Sequence, residues 1–264
     1  MTELDSRLHK RTTSRQFTRA ADAFAASPVK SDMDYRRRYV HFAAANASDA
    51  VLDVATGPGF SALAFAEVAR IVVGFDITPA MLERAARQRD KARLANIELV
   101  LADVEAIPFA DSSFQVVSCN SSLHHFQRPG WVFQEMARVC APGGRVVIDD
   151  QRSSEDASRA AGQDRIERRR DPSHAHSLSR SEMLSMVREA GLEVQRVEER
   201  ESTRDFDEWM KAIGADPATY RAVRQAMLES SDDDSAGLAP RLEEGGRLVY
   251  ERRVVWLVAA KPLG

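Results

Sequence analysis

The fold of this chain is decided by the stretch VLDVATGPGF, residues 51–60. Its apolar first half contains one acidic residue, Asp53, and its second half is a glycine-rich turn that enters the helix-like segment Ser61–Ala69. A strand that passes into a helix through glycines brings backbone N–H groups close to a ligand, and a carboxylate nearby can take a cationic or hydroxylated group. The stretch therefore predicts a strand–turn–helix unit with a ligand site at the turn.

Apolar runs of strand length alternate with helix-like periodic stretches over the rest of the chain. The predicted strands are Ala50–Ala55, Ile71–Phe75, Ile97–Ala102, Phe114–Cys119, Arg145–Asp149, Leu192–Glu198 and Arg253–Ala260. The predicted helices between them are Ser61–Ala69, Pro79–Leu94, Gly130–Cys140 and Ser179–Ala190. Strands that alternate with helices, and that are apolar on both faces, imply a parallel sheet with right-handed crossovers. We expect an α/β fold with a doubly wound, mostly parallel, seven-stranded, Rossmann-like sheet.

Three segments lie outside this alternation. Residues 1–45 look helical and amphipathic, and we expect a helical N-terminal cap there. Residues 151–178 are polar and are expected to form a loop with a short helix. Residues 201–247 are predicted to be a helical insertion that serves as a lid or as a dimer surface, so a homodimer is left open. The Rossmann-like core then spans residues 46–200 and 248–264.

Composition limits the classes of partner. The 264 residues are 44% hydrophobic and 29% charged, which is ordinary for a soluble globular protein, and the net charge of −3 argues against a nucleic-acid partner. Two basic clusters, Arg36–Arg38 and Arg168–Arg170, are read as solvated helix faces. No apolar run approaches the ~18–20 residues of a membrane span, and residues 1–16 lack the apolar segment of a signal peptide. We expect a cytoplasmic protein.

Neither cysteine suggests a disulfide framework or a metal site. Cys119 sits in an apolar run, and Cys140 ends a helix-like stretch. Two adjacent histidines, His124 and His125, have no third ligand evident near them in the sequence, so they do not make a metal site either. We therefore expect no metal.

Polar residues follow the predicted strands at one end. Asp53 closes the first strand, Asp76 closes the second, Asp103 follows the third, Asn120 follows the fourth, and Asp149–Asp150 end the fifth. In an open parallel sheet, ligands bind beyond the carboxyl ends of the strands, at the switch in strand order. These side chains are therefore the candidate binding residues.

A dinucleotide cofactor is one reading of the turn. Gly57, Gly59 and Ala62 satisfy a relaxed Gly-x-Gly-x-x-Gly/Ala fingerprint. Asp76 follows it at the spacing in the sequence that is expected for a ribose-binding acid. Asp53, however, would lie beside a pyrophosphate and repel it. The sequence also lacks a Tyr-x-x-x-Lys pair of the common short-chain dehydrogenase type. A ligand with a cationic amine and no phosphates removes the conflict.

Four segments together resemble a known family. They are residues 51–59, the segment DITPAML at 76–82, the segments ADV at 102–104 and IPF at 107–109, and the segment SSLHHF at 121–126. The chain resembles the class I S-adenosylmethionine-dependent methyltransferases over about residues 35–200. It is most similar to the small-molecule branch that includes the ubiquinone and menaquinone C-methyltransferases. The resemblance implies S-adenosylmethionine as the cofactor and a small organic acceptor methylated at carbon, oxygen or nitrogen.

The resemblance also assigns the amino acid end of the cofactor. Asp53 and the turn that contains Ala55, Gly57 and Gly59 would hold this end, and the carbonyl of Asn120 would bind its amino group. Ala55 stands where many members of the family have the first glycine. We expect the Cβ of Ala55 to restrict the backbone conformations open to the turn slightly, without preventing cofactor binding.

The nucleoside end is assigned in the same way. Asp76 would accept from both ribose hydroxyls, and Ile77 and Met81 would pack against the adenine. Asp103 would accept from the adenine amino group, while Val104 would supply a backbone contact.

Methyl transfer depends mainly on alignment and on exclusion of water, so no catalytic signature is expected in the sequence. A general base adds about 10²–10⁴-fold where the nucleophile must lose a proton. His124 and His125 are the candidates, since they follow the fourth strand, where the acceptor should lie. Asp149 and Asp150 are candidates to orient a hydroxyl or amine. A non-methylating cofactor-binding relative and a nicotinamide-dependent oxidoreductase are the alternatives.

Overall fold

A computed structural model describes residues 3–27 and 31–263 of the protein. Its helices are α1 Glu3–Ala26, α2 Met33–Phe42, α3 Phe60–Ala66, α4 Pro79–Ala92, α5 Pro129–Val139, α6 Ala157–Arg170, α7 Arg180–Glu189, α8 Phe206–Ala212 and α9 Pro217–Glu229. Its strands are β1 Ala50–Val54, β2 Ile71–Asp76, β3 Ile97–Leu101, β4 Phe114–Asn120, β5 Cys140–Gln151, β6 Glu193–Asp205, β7 Arg241–Leu242 and β8 Leu248–Ala260. Residues 1–2 and 28–30 of the predicted cap and residue 264 of the predicted core lie outside the described residues.

One sheet organises the fold. Its strands follow the order β3-β2-β1-β4-β5-β8-β6, and the two-residue β7 pairs with the start of β8. The strands from β1 to β5 pair in parallel, whereas β8 runs antiparallel to both β5 and β6. The predicted doubly wound, mostly parallel sheet is confirmed, and β7 adds a short eighth strand within the described residues. The order reverses between β1 and β4, which is where a ligand site is expected.

Two regions differ from the sequence prediction. β6 continues to Asp205 and β8 begins at Leu248, so residues 201–205 lie in the sheet and not in the predicted insertion. These ends are charged and therefore lack an apolar signal, but cross-strand pairs such as Arg253–Glu201 at 3.0 Å hold them together. The segment expected to be a loop with a short helix contains α6, a helix of 14 residues that begins after the N-cap Asp156.

Small residues beside β1 make room for the first acid of the site. In the register of the sheet, Asp53 lies between Gly74 of β2 and Ser118 of β4. All five residues of β1 are buried, and Asp53 is only 1% exposed. The sheet therefore holds a carboxylate inside the protein at the switch point.

The sheet is covered on both faces. α5 and α7 pack on one face, and α2 and α3 pack on the other. The largest fully buried side chain, Trp256 of β8, contacts three aromatic rings of α2 edge to face. Its indole Nε1 donates to the hydroxyl of Tyr35 at 3.0 Å. This contact fixes α2 against the carboxyl half of the sheet.

Helix α1 lies over the ends of the strands. Asp22 pairs with Arg84 of α4 at 2.6 Å, and the side chain of Gln16 donates to the carbonyl of Ile213, just after α8, at 3.4 Å. The helix is thus held at one contact by α4 and at the other by the residue that follows α8. No described helix, α1 included, is long and apolar enough to cross a membrane.

Replacement of Trp256 by Ala should lower the free energy of unfolding by about 3–5 kcal/mol, because it removes a fully buried indole and the contacts that hold α2. Trp131 is the matched control, since its side chain is half exposed on α5. Its replacement by Ala should cost less than about 1 kcal/mol. Urea denaturation of both variants measures the difference, and equal losses would contradict the packing described.

Candidate functional site

A cleft opens above the carboxyl ends of the parallel strands. Its empty volume is about 1790 Å³, open solvent at the mouth included. Most of the residues predicted from the sequence line it, namely Asp53, Ala55, Gly57, Asp76, Ile77, Met81, Asp103, Val104, Asn120, His124 and His125. Gly59 does not line the cleft but is the N-cap residue of α3. The fold therefore brings residues from four separate strand ends to one cavity.

The turn after β1 is held in a left-handed backbone conformation. Ala55, Gly57 and Gly59 have φ values of +52°, +55° and +84°. Gly59 also packs closely on α4, because a Cβ built there would lie 2.9 Å from the Cβ of Ala85. Ala55 adopts the left-handed conformation despite its Cβ, which costs about 1–2 kcal/mol relative to glycine. The turn is strained at the residue that differs from the family pattern.

Asp53 is an incompletely satisfied buried acid. Its Oδ2 accepts from the hydroxyl of Thr56 at 2.6 Å, while its Oδ1 is buried without a hydrogen-bond partner in the described residues. Burial raises the pKa of Asp53 to about 6, although the hydroxyls of Thr56 and Ser118 and the charge of Arg36 oppose the rise. A buried oxygen of this kind is stabilised by a donor that enters from the cavity.

Asp76 supports the turn from the neighbouring strand. Its Oδ2 accepts from the backbone N–H of Gly57 at 2.9 Å, and its Oδ1 accepts from the backbone N–H of Thr78 at 2.8 Å. Burial raises the pKa of Asp76, while these N–H donors act in the opposite direction. Each carboxylate oxygen can accept a second hydrogen bond, so Asp76 holds the turn and still presents acceptors to the cavity.

Asp103 connects the cleft to α1. Its Oδ2 accepts from Lys10 Nζ at 2.6 Å, and its Oδ1 accepts from the backbone N–H of Glu105 at 3.0 Å. Lys10 also contacts the carboxylate of Glu105 at 2.5 Å. α1 is therefore tied by a lysine to the acid that the family pattern assigns to the adenine.

A second polar cluster follows β4 and β5. The fully buried Asp149 accepts through Oδ2 from the Tyr35 hydroxyl at 2.9 Å and from the Asn120 amide at 2.5 Å. The guanidinium of Arg36 donates to Asn120 Oδ1 and lies 4.0 Å from Asp149. Burial raises the pKa of Asp149, while the nearby cations Arg252 and Arg36 act against that rise. The orientation of Asn120 is thus set from both sides.

His124 is oriented by a buried carboxylate. Its Nδ1 lies 2.6 Å from Asp150 Oδ1, and Asp150 Oδ2 accepts from the backbone N–H groups of Ser122 and Leu123. Burial acts to raise the pKa of Asp150, but His124 and the N–H of Leu123 outweigh it and hold this pKa below its ordinary value. Asp150 is therefore ionised, and His124 donates to it through Nδ1. Nε2 of His124 has no protein partner within the described ranges. It is left as a proton acceptor at the cavity.

His125 has a different environment. Its Nδ1 lies 3.1 Å from the carbonyl of Ser173, and its ring packs edge to face on Phe17 of α1 at 5.0 Å. The pKa of His125 is lowered to about 3, mainly by burial and secondly by the neighbouring His124. A group with so low a proton affinity is a poor base at neutral pH. The two adjacent histidines are therefore not equivalent.

The segment after β5 packs against these histidines. The carbonyl of His124 accepts from the backbone N–H of Ala175 at 2.9 Å. Asp164 of α6 contacts the rings of both His174 and His176 at 2.7 Å, and His174 is buried. The side chain of His176 is 39% exposed. Both histidines support the turn that carries His124.

Three aromatic side chains of α1 and α8 line the cleft, namely Phe17, Phe24 and Trp209. Trp131, Phe206 and Met210 lie outside it. Trp131 is half exposed, and the other two are buried in a small core formed with α9 and β8. α1 and α8 are thus the elements that cover the acceptor side.

Sequence reasoning missed several cations at the cleft. Lys10, Arg36, Arg204 and Arg252 are among them and line the cavity. Arg36 was read as part of a solvated helix face, which is wrong, since only 7% of it is exposed. The helical period could have found it, because Arg36 lies three and four residues before the buried Tyr39 and Val40. No local pattern marks the other three.

Several known proteins share this architecture. A family model described as a methyltransferase domain matches residues 52–148. The uncharacterized methyltransferase YcgJ of Bacillus subtilis is 26% identical over 236 residues, which cover 89% of this chain and 93% of that protein. The crystal structure of YcgJ matches with a TM-score of 0.82 over 88% of this chain and 100% of that chain. A candidate methyltransferase from Bacillus halodurans C-125, 28% identical, matches with a TM-score of 0.81 over 88% and 99%.

A third relative matches over a shorter region. The demethylmenaquinone methyltransferase of Thermus thermophilus is 38% identical over 120 residues, which are 45% of this chain and 54% of that protein. Together these matches confirm the resemblance that the sequence shows to the class I S-adenosylmethionine-dependent methyltransferases. The matched domain covers the strands from β1 to β5, which carry the acids of the cleft. All three relatives are named as methyltransferases.

The burial of Asp53 predicts a stability effect with a defined sign. Its folded-state pKa of about 6 lies above the ordinary 3.8, so its contribution to stability is present below pH 3.8 and is lost as pH rises through 6. At pH 7.5, Asp53→Asn should therefore raise the free energy of unfolding of the ligand-free protein by up to about 3 kcal/mol. The gain should vanish near pH 4.

Thermal and chemical unfolding across pH 4–8 measure this gain. The exposed Asp232→Asn is the control and should change stability by less than about 0.5 kcal/mol at every pH. A loss of stability in Asp53→Asn at pH 7.5 would show that the carboxylate is satisfied inside the protein.

Proposed function

We propose that this methyltransferase binds S-adenosylmethionine across Asp53, Asp76 and Asp103 and transfers its methyl group to a small organic acceptor, with His124 as the general base. The observation that carries the proposal is the buried, unpartnered Oδ1 of Asp53 at the wall of the cleft. An unsatisfied buried carboxylate oxygen is costly, and a ligand ammonium offsets that cost by charge and hydrogen bonding together. Pyrophosphate at this place would increase the cost.

The residues present fit the amino acid end of the cofactor. Asp53 offers an acceptor and Asn120 lines the same cavity, so an ammonium would be taken between the Asp53 carboxylate and the Asn120 backbone carbonyl. The guanidinium of Arg36, fixed by Asn120 and Asp149, would supply the charge complement for the ligand carboxylate. The turn at Ala55 and Gly57 brings backbone groups close to the same end.

The nucleoside end fits the next two strands. Asp76 keeps free acceptor positions for the two ribose hydroxyls while it holds the turn. Ile77 and the buried Met81 line the cleft beside it and would pack on the adenine, with Val104 adding a backbone contact. Asp103 can accept from the adenine amino group in addition to Lys10, since a carboxylate has about four acceptor positions.

When bound, the cofactor supplies a methyl group made electrophilic by a positively charged sulfur. The protein aligns the acceptor and excludes water, which is worth about 7–11 kcal/mol in comparable reactions. Asp150 holds the tautomer of His124 in which Nε2 can take a proton from the acceptor, and it stabilises the imidazolium that results. The low pKa of His125 makes it a packing residue beside this base and not a second base.

The atom that accepts the methyl group is not assigned. The match to the demethylmenaquinone relative covers 54% of that protein and 45% of this chain. Both cysteines are buried and form no disulfide. We also propose a cytoplasmic location. No group of three metal-ligating side chains is found among the described residues.

Calorimetry with S-adenosylhomocysteine tests the cofactor assignment. The wild-type protein should bind it, and Asp76→Ala should weaken binding at least 100-fold, because both ribose contacts are lost and the turn loses its support. Asp90→Ala, an exposed change on α4, should leave the affinity within twofold. Binding of NAD in place of S-adenosylhomocysteine would refute the assignment.

The assignment of the base makes a kinetic prediction. With any acceptor whose nucleophile must lose a proton, His124→Gln should lower kcat by about 10²–10⁴-fold while the affinity for S-adenosylhomocysteine stays within twofold. Asp150→Asn should give a large part of the same loss, because the tautomer of His124 is no longer fixed. Initial rates of S-adenosylhomocysteine release measure both. A larger loss in His125→Gln than in His124→Gln would reverse the roles.

A further inference from the structure

Two arginines face the cleft from the antiparallel edge of the sheet. In the pairing of β6 with β8, Arg204 lies opposite Tyr250, and Ser202 lies opposite Arg252. Side chains two residues apart on a strand share a face, so Arg204 and Arg252 project from the same face of the sheet. Both line the cavity. They are diagonal neighbours in the sheet and carry the same charge.

Neither guanidinium is paired with an acid. Within residues 3–27 and 31–263, no carboxylate oxygen lies within 4.0 Å of either one. Arg252 donates only to the hydroxyl of Ser121, at 3.4 Å, and Nε of Arg204 is buried without a partner. The pKa of Arg204 is lowered, mainly by burial and secondly by the positive charge of Arg252. Two unpaired cations at the wall of a cavity are unfavourable unless an anion enters.

The acids nearby make no ion pair with either guanidinium, although Oδ1 of Asp149 is buried without a hydrogen-bond partner in the described residues. Asp149 acts on Arg252 at a distance, but its Oδ2 accepts from Tyr35 and Asn120. Asp150 is taken by His124. Asp205, on the same wall, is the N-cap of α8 and accepts from its backbone. The positive charge of the pair therefore remains available to a ligand.

Other cations in the cleft have partners of their own. Lys10 contacts Asp103, and Arg170 pairs with Glu167 at 2.9 Å and stacks on Trp209. Arg36 is held by Asn120 at the end proposed for the cofactor. The pair on β6 and β8 is distinct from these and lies beside the turn that carries His124, since Ser121 is three residues before it.

We propose that Arg204 and Arg252 bind an anionic group of the acceptor, a carboxylate or a phosphate. A guanidinium presents N–H donors in a planar fork that matches both groups. The body of the acceptor then lies along the apolar cover formed by Phe17, Trp209 and Tyr250. The acceptor is thus an amphipathic acid with an apolar or aromatic body. This inference rests on the function proposed above.

The test uses protein saturated with S-adenosylhomocysteine and a panel of straight-chain and aryl carboxylates and monophosphates. Each acid is paired with its neutral amide or alcohol, and binding is measured by calorimetry. At least one acid should bind ten times more tightly than its neutral partner. The carboxylate and phosphate arms of the panel identify which of the two groups the site takes.

Variants assign the effect to the arginine pair. Arg204→Gln and Arg252→Gln should each weaken binding of that acid at least tenfold, and Arg204→Lys should weaken it less, because the charge remains. Arg241→Gln removes the same charge from an exposed position on β7 outside the cleft and should change nothing. The affinity for S-adenosylhomocysteine, which also reports folding, should stay within twofold in every variant.

The outcomes separate this inference from the proposed function. If S-adenosylhomocysteine binds but no acid exceeds its neutral partner, or the variants bind the acid as the wild type does, the anion site is refuted and the cofactor assignment stands. If Arg252→Gln or Arg204→Gln weakens S-adenosylhomocysteine tenfold, the pair serves the cofactor, and the inference is again overturned. If the wild type does not bind S-adenosylhomocysteine, the proposed function itself fails.

Discussion

Four carboxylates are buried together at the carboxyl edge of the parallel sheet, and each of them needs compensation for its lost hydration. Asp150 obtains it from a histidine and backbone N–H groups, and Asp76 obtains it from the turn that it supports. Oδ2 of Asp149 accepts from a tyrosine hydroxyl and an amide, and two cations lie near this acid. Asp53 and Asp149 each keep a buried Oδ1 without a hydrogen-bond partner in the described residues. Asp53 is the one of the two that lines the cleft, and the cofactor proposal follows from it.

Much of this edge could be predicted from the sequence, because its determinants are local. Strands apolar on both faces, helices begun by Pro79 or capped by Ser179, and polar residues at each strand end are all visible along the chain. A parallel sheet converts those separate ends into one surface without further information. Asp53, Asp76 and Asn120 line one cavity for that reason.

The acceptor half could not be predicted in the same way, because its residues are brought together only by tertiary packing. Arg204 and Arg252 lie on charged strand ends that carry no apolar alternation, and they become neighbours through the long antiparallel pairing of β6 with β8. The adjacent histidines show a similar limit. The sequence makes His124 and His125 equal candidates, whereas Asp150 faces one ring and the Ser173 carbonyl faces the other. Proton affinity is set by those partners, which are distant in the chain.

The two halves of the cleft are also built from different parts of the chain. Apart from Arg36 of α2, the residues proposed to hold the cofactor lie in or after the strands from β1 to β4, within the matched domain at residues 52–148. The walls proposed for the acceptor come from α1, α8 and the ends of β6 and β8, all of which lie outside that domain. A relative that matches only the first part can therefore share the cofactor chemistry and still differ in acceptor. The two halves also differ in charge. Acids dominate the walls proposed for the cofactor, whereas Arg204 and Arg252, which form no ion pair in the described residues, lie on the wall proposed for the acceptor. Selectivity for the acceptor then depends on elements that can change without disturbing the sheet.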